Sequence, residues 1–300
     1  SLLVFASCNN ETKSKNDQVH INYEEYTLPN GLKVVLHEDH SDPIVAQAIA
    51  FHVGSAREKE GKTGFAHFFE HMLFQSSENL PRNAFFNKIS DMGGTFNGGT
   101  SNDFTVYFEC VPRNALEKIM WMESDRMGYF INTVTQSGLE REIDVICNEK
   151  RQTEVNNAYG MMDGIMCKEF FPNRHPYSWT VIGEFEDVKS ATIEDVKEFY
   201  GTYYVPSNAT LCIAGDFDTK EVKALIEKYF AEIPSHPVEK PAVWDVTLNE
   251  TKAVYYEDQF ANMPAVEVAY PAVASGHNDE AALDVFCNLF GRGKNSPLYK

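Results

Sequence analysis

Near the start of the chain, two short runs of alternating apolar and polar residues flank the triplet Pro29-Asn30-Gly31. Alternation with a period of two is typical of strands that bury one face, and a triplet of this composition between two such runs favours a tight turn. The pattern therefore predicts a β-hairpin over residues 26–37. Residues 44–53 continue as a mostly apolar run, which predicts a further strand.

Farther along, apolar residues recur every three or four positions, the spacing that gives a helix one buried face. Three helices are predicted in this way, marked by Leu116, Ile119 and Met120, by Ile193, Val196, Tyr200 and Tyr203, and by Val222, Leu225, Ile226 and Tyr229. Thr192 and Asp195 form a capping pair before the second helix, and Asp218 precedes the third. The apolar run 209–215 predicts a buried strand between these two helices.

Three prolines, Pro234, Pro237 and Pro241, then interrupt the pattern. Proline fixes φ and lacks an N–H donor, so this spacing excludes a helix or a central strand. Residues 234–242 are therefore predicted to be a linker. A strand-like run that begins near Val243 is predicted to start a second domain, although too few residues follow it for a domain that matches the first.

Composition and charge narrow the possible partners. The chain has 43% hydrophobic residues, enough for a large core, and a formal net charge of −18. Nucleic-acid-binding proteins hold phosphates largely with Lys and Arg, so this balance argues against a nucleic-acid partner. The sequence contains no apolar run of the ~18 residues that a membrane-spanning helix needs.

Residues 1–8 form an apolar run that ends in small residues and Cys8. This pattern resembles the lipobox of bacterial lipoproteins, in which the cysteine becomes the lipidated N-terminus. Residues 1–22 are therefore predicted to be a signal remnant and tether. The lipid would be the only membrane contact, and it would hold the protein on the periplasmic or outer face of a bacterial envelope. The alternative is an N-terminal strand with a chance cysteine.

The segment from Gly64 to Phe74 places two histidines and a glutamate on one face of a predicted helix, opposite its apolar residues. Histidines four residues apart, here His67 and His71, can direct their ring nitrogens at one Zn²⁺ ion. Glu70 would lie beside the metal without binding it, which suits a general base. The alternative is a solvated helix face, although such faces usually carry Lys and this one has none.

A second predicted helix, over residues 138–149, can supply a third ligand. Glu142 and Glu149 are seven residues apart and therefore lie on nearly the same side, next to an apolar stripe of Leu139, Ile143 and Ile146. Carboxylates beside an apolar stripe can sit at the rim of a core and reach inward. Taken alone, two solvated glutamates in an acidic protein are the simpler explanation.

Together, the two helices match the signature His67-x-x-Glu70-His71 followed by a distant glutamate, Glu149. The sequence resembles the pitrilysin and insulinase family of zinc metallopeptidases, which includes the mitochondrial processing peptidases. The resemblance extends from about Tyr26 onward. Further segments that carry it are 93–97, 175–177, 204–211, 291–293 and 298–299.

The resemblance implies His67, His71 and Glu149 as ligands of a Zn²⁺ ion and Glu70 as the catalytic base that activates a water on the metal. It also implies that Glu142 orients a ligand histidine without binding the metal itself.

The resemblance further implies a substrate-binding edge strand at Asn97, Gly98, Gly99 and Thr100, to which an extended peptide adds as one more strand. Gly98 stands where the family usually has alanine, which would alter the shape of the substrate groove. The glycines around this strand superficially resemble a phosphate-binding loop, but no Gly-Lys-Ser or Gly-Lys-Thr follows them, so nucleotide binding is not predicted.

The fold that the resemblance implies is α+β, a pair of similar two-layer domains that close around a chamber. Residues 23–233 would form the catalytic zinc-binding domain, and residues 243–300 would form the incomplete start of the second. The rest of that half would come from the same chain beyond residue 300 or from a partner subunit. The implied function is that of a zinc-dependent endopeptidase acting on short or unfolded polypeptides.

Two alternatives remain open at this point. One is a non-catalytic subunit of the same fold, and the other is a lipoprotein that binds peptides by strand addition without cutting them. All four positions of the metal motif are present, which favours the peptidase.

Overall fold

The computed structural model describes residues 21–171, 174–244 and 246–300. The strands are β1 Glu24–Thr27, β2 Lys33–Glu38, β3 Ile44–Phe51, β4 Thr95–Thr100, β5 Thr105–Pro112 and β6 Ala209–Gly215. They form one sheet in the order β1-β2-β6-β3-β5-β4. The predicted lipidation site, Cys8, lies outside the described residues.

The predicted hairpin is confirmed, because β1 pairs antiparallel with β2 around the expected turn. Gly31 in this turn has a φ of +91°, and a Cβ atom there would lie 2.9 Å from the side chain of Ser207, so only glycine fits well. β2 pairs parallel with β6, and the remaining neighbours pair antiparallel. The sheet is therefore mixed, with β1 and β4 at its edges.

Burial alternates along the central strands, so one face of the sheet is covered and the other is partly open to solvent. In β3, for example, Val45 and Ile49 are buried, whereas Ala46 between them is exposed. β6 follows the same alternation, so the strand predicted to be buried is buried on one face only. A single covered face makes this a two-layer arrangement.

The helices in the described part of the chain are α1 Phe65–Leu73, α2 Ala84–Asp91, α3 Leu116–Tyr129, α4 Gln136–Lys150, α5 Met162–Phe170, α6 Phe185–Lys189, α7 Ile193–Tyr203, α8 Thr219–Phe230 and α9 Glu280–Gly291. The three helices predicted from apolar spacing are confirmed as α3, α7 and α8. Thr192 and Asp195 form the expected capping box, and the Asp218 side chain accepts the N–H of Glu221 at 2.9 Å. Helices and a mixed sheet that share one core confirm the α+β class.

Residues 234–242 contain neither helix nor strand, as predicted for a proline-rich linker. The strand predicted near Val243 is wrong, because the described residues after β6 contain only the helices α8 and α9. An extended segment becomes a strand only when a neighbour supplies backbone hydrogen bonds, and no described strand lies beside this one.

Helix α9 leaves several apolar side chains without cover. Val285, Phe286, Leu289 and Phe290 of this helix are exposed in the described structure. No helix among the described residues has the length and apolar character needed to cross a bilayer.

Candidate metal centre

Helix α1 carries both histidines of the predicted motif. It begins after Gly64, whose φ of +86° favours glycine. Its buried residues are Phe65, Ala66, Phe68, Phe69, Met72 and Leu73. Because these residues fix one face of the helix against the core, His67, Glu70 and His71 lie together on the opposite, partly exposed face.

Helix α4 brings Glu149 to this face. Its N-cap is Thr135, whose hydroxyl accepts the N–H of Gly138 at 3.2 Å, and the helix packs against α1. Past its last residue the backbone continues into a π-helical turn over Arg151–Val155. The Thr153 hydroxyl in this turn donates to the carbonyl oxygen of Glu149 at 2.9 Å. Turns of this kind occur frequently at functional sites.

The two helices bring three potential ligands together. The Nε2 atom of His71 lies 3.3 Å from Oε2 of Glu149, and Nε2 of His67 lies 3.8 Å from Oε1 of the same carboxylate. One ligand atom from each of the three residues lies within 4.8 Å of the others. Two imidazoles and one carboxylate form a typical ligand set for catalytic zinc, which leaves a coordination position open. The predicted ligands therefore fit a zinc ion.

The protonation state of His67 also suits a metal ligand. Burial lowers the pKa of its imidazole to about 4, and the neighbouring His71 adds to that shift. The ring is therefore neutral near pH 7, which is the form that binds metals. Its Nε2 atom is the nitrogen that faces Glu149, whereas its buried Nδ1 atom has no hydrogen-bond partner among the described residues.

Glu70 lies between the ligands and the edge strand. Its Oε2 atom accepts a hydrogen bond of 2.6 Å from the hydroxyl of Thr100, the last residue of β4. The carboxylate is thus held toward the edge of the sheet by a group outside its own helix. This is where a base would have to lie if a peptide bound along β4.

Glu142 is buried, unlike most carboxylates. Burial raises its pKa, and the nearby charge of His71 opposes that shift. Among the described residues, Glu142 makes no direct hydrogen bond to His67 or His71.

The four residues predicted to bind substrate lie in β4, at an edge of the sheet, as expected. Gly98 lies over α1: a Cβ atom there would come within 2.9 Å of the Phe74 ring and 3.4 Å of Cγ of Glu70. A Cβ atom at Gly99 would meet nothing within 4 Å, so the other face of this strand is open. The N–H of Gly98 donates to the side-chain oxygen of Asn97 at 2.9 Å.

One residue beside this site was not predicted from the sequence. Glu58 is buried at the N-terminus of α1, and its carboxylate accepts backbone N–H groups from that helix. It lies within a charged stretch, Arg57 to Glu60, that has the composition of a solvated loop. No periodic pattern in this stretch distinguishes the buried side chain of Glu58 from the charged side chains around it.

Two family models match the chain. Residues 33–162 match the model described as insulinase (peptidase family M16), and residues 190–300 match the model described as peptidase M16 inactive domain. The chain belongs to the insulinase (M16) family of peptidases. The first match contains the whole candidate metal centre. The second begins ahead of β6, so the M16 sheet is completed by residues from both matches.

Several proteins and solved structures resemble this M16 chain. It is 31% identical over 286 residues to "Zinc protease PqqE" from Helicobacter pylori, an alignment that covers 92% of this chain and 62% of that protein. A crystal structure of a protease from Helicobacter pylori matches with a TM-score of 0.79 at 29% identity, covering 93% of this chain and 67% of the other. The crystal structure of the periplasmic protease PqqL from Escherichia coli matches with a TM-score of 0.69 at 26% identity, and the match covers 76% of this chain and 26% of PqqL.

The expectation of the pitrilysin and insulinase family is thus confirmed. This M16 chain spans about 62% of the length of the Helicobacter pylori relative and a smaller share of PqqL. The relatives of this chain within the family include proteins named as zinc proteases.

Proposed function

We propose that the protein is a zinc-dependent endopeptidase whose metal is held by His67, His71 and Glu149. The observation that carries this proposal is the convergence of these three side chains from two helices, with their ligand atoms within 4.8 Å of one another. Glu149 follows His71 by 78 residues, so local helix geometry alone would not bring them together.

A bound Zn²⁺ ion would polarise the scissile carbonyl and make a water molecule more acidic. Glu70 would take a proton from the attacking water, whose oxygen forms the new bond to the carbonyl carbon. It would then pass that proton to the amine as the C–N bond breaks. The hydrogen bond from Thr100 supports this role because it directs the carboxylate toward the strand where substrate is proposed to lie.

The proposed substrate is a short or unfolded polypeptide that adds to β4 as one more strand. In support of this, β4 lies at an edge of the sheet and contains two adjacent glycines, Gly98 and Gly99, which have no side chains to obstruct an approaching backbone. Asn97 and Thr100 flank these glycines. The open face at Gly99 leaves room for a substrate side chain.

A non-catalytic role is the principal alternative, and one of the matched models is described as an inactive domain. That match covers residues 190–300, whereas the candidate ligands lie between residues 67 and 149. The description therefore does not apply to the segment that carries the metal centre. The four intact motif positions favour the catalytic role over a subunit or lipoprotein that only binds peptides.

We also propose that the protein acts in a bacterial cell envelope, attached through a lipid on Cys8. The lipobox-like residues before Cys8 support this location, and PqqL from Escherichia coli is described as periplasmic. A second homologous half, fused or separate, would complete the substrate chamber.

Glu70→Gln tests the assignment of the base. The amide keeps the shape of the side chain but cannot accept the water proton, so this variant of the full-length protein should bind zinc normally and lose nearly all hydrolysis of a fluorogenic peptide. Zinc content and kcat are the measurements, and Glu60→Gln, at an exposed glutamate, is the matched control. Hydrolysis at the unmodified rate would refute the role of Glu70, and loss of zinc would make Glu70 a ligand.

A further inference from the structure

Glu58 is a buried carboxylate that the proposed chemistry does not use. It follows a short 3₁₀ turn at Ser55–Arg57 and lies against the start of α1. Its Oε2 atom accepts the N–H of Gly64 at 2.9 Å, and its Oε1 atom accepts the N–H of Ala66 at 2.8 Å. Both oxygens are therefore bound to the backbone of one helix end.

Helix α1 lacks a capping side chain of its own. The residue at its N-cap is Gly64, which has no side chain to accept the first free N–H groups. When ionised, a carboxyl group at that position also interacts favourably with the positive end of the helix dipole. Burial raises the pKa of Glu58 to about 8, against the opposing effect of the α1 donors, so these hydrogen bonds offset part of a substantial desolvation cost.

The residues just before Glu58 bind the other side of the proposed site. The N–H of Ser55 donates to the carbonyl oxygen of Ser101 at 3.1 Å, and the N–H of Ala56 donates to that of Asn102 at 2.7 Å. Ser101 and Asn102 lie in the turn that connects β4 to β5. Gly54 allows this close approach, since a Cβ atom there would come within 2.2 Å of the Ser101 oxygen.

One short segment, residues 54–58, is thus bonded at one end to the turn after the substrate-binding strand and at the other to the metal-bearing helix. We propose that Glu58 is a positioning residue that sets the axial position of α1, and with it His67 and His71, relative to β4 and to Glu149. This inference rests on the proposed function, because it concerns the same metal site.

The reason for a functional effect is geometric. The two histidines come from α1 and the third ligand comes from α4, so a small slide of α1 along its axis changes both histidine-to-carboxylate separations together. Glu70 moves with the histidines, because it lies on the same helix. Loss of the Glu58 contacts should therefore weaken zinc binding, whereas loss of an equivalent cap on a helix remote from the site should not.

The test is to measure the zinc dissociation constant of Glu58→Ala and Glu58→Gln by competition with a chelator, well below their unfolding temperatures. Glu58→Ala should bind zinc on the order of tenfold more weakly than the unmodified chain, as is typical when a group that supports metal ligands is removed. Glu58→Gln keeps one carbonyl acceptor, so its zinc affinity should lie between that of Glu58→Ala and that of the unmodified chain. Asp218→Ala is the matched control, since it removes the cap of α8 and should lower the melting temperature without changing zinc affinity.

Unmodified zinc affinity in a folded Glu58→Ala protein would overturn the inference, and so would an equal loss of affinity in Asp218→Ala. If Glu58→Ala does not fold, Glu58→Gln decides in the same way. Failure of the unmodified chain to bind zinc would instead refute the proposed function, so the two failures are distinguishable.

Discussion

At the scale of single residues, the contact between Thr100 and Glu70 joins the proposed substrate strand to the proposed base. The hydroxyl of Thr100 donates to the Glu70 carboxylate at 2.6 Å. The sequence resemblance placed Thr100 among the substrate-binding residues but gave no sign of this hydrogen bond. Such a contact depends on how far β4 lies from α1, and that distance is set by packing across the core.

Thr100→Val should lower turnover and leave zinc binding unchanged. Valine has nearly the shape of threonine but cannot donate a hydrogen bond, so the carboxylate of Glu70 loses its fixed orientation. A hydrogen bond to a charged group contributes about 1.5–3 kcal/mol, so we expect kcat to fall by about tenfold. Steady-state kinetics on the full-length protein checks this, and Thr100→Ser, which restores the hydroxyl, should recover most of the activity. Equal rates for the valine and serine variants would contradict the role of the hydroxyl.

At the scale of elements, the sequence predicted helices α1, α3, α4, α7 and α8 and most strands correctly, because each buries one face and its apolar spacing reflects that face. The amphipathic pattern of α1 and the capping box of α7 are examples. Helices α2, α5, α6 and α9 were not predicted. The strand expected near Val243 fails because strand formation depends on a neighbour, which a pattern in one segment does not reveal. Contacts between elements, such as those that Glu58 makes with α1, were likewise not predicted from the sequence.

The ion cluster beneath the site is another contact between elements. Arg126 of α3 is buried, pairs with Glu123, and lies 3.5 Å from Oε1 of Glu109 in β5. Its guanidinium carbon is 4.2 Å from the centre of the Tyr107 ring and 5.0 Å from that of Phe74, the residue that follows α1. Burial and the charge of Glu123 raise the pKa of Glu109, whereas Arg126 lowers it.

Arg126→Met should destabilise the protein strongly, because it removes the positive charge and leaves two carboxylates buried. Breaking a buried pair in this way typically costs about 3–5 kcal/mol in the free energy of unfolding. Glu109→Gln should be less harmful, or even stabilising, in the Arg126→Met background, because the amide removes one of the uncompensated charges. Urea unfolding of the four proteins in this double-mutant cycle measures the difference. Identical effects of Glu109→Gln in both backgrounds would show that the two side chains do not interact.

At the scale of the whole molecule, the fold class and the family were both accessible from sequence. The decisive signal was a short motif on one helix and a glutamate far along the chain, and the structure brings these together. The order of the strands was not predicted, because pairing between β2 and β6 joins segments about 170 residues apart and no local pattern records it. That pairing joins the β1–β2 hairpin to the sheet against which α1 packs.

The central claim is that His67, His71 and Glu149 form a single zinc site, and the most direct measurement is the zinc content of the purified chain after extensive dialysis. The unmodified chain should retain about one zinc ion per molecule, as expected for one three-ligand site. Glu149→Gln should retain almost none, whereas Glu140→Gln, at an exposed glutamate on the same helix, should retain as much as the unmodified chain. An unmodified chain without zinc, or a Glu149→Gln variant with full zinc content, would contradict the account.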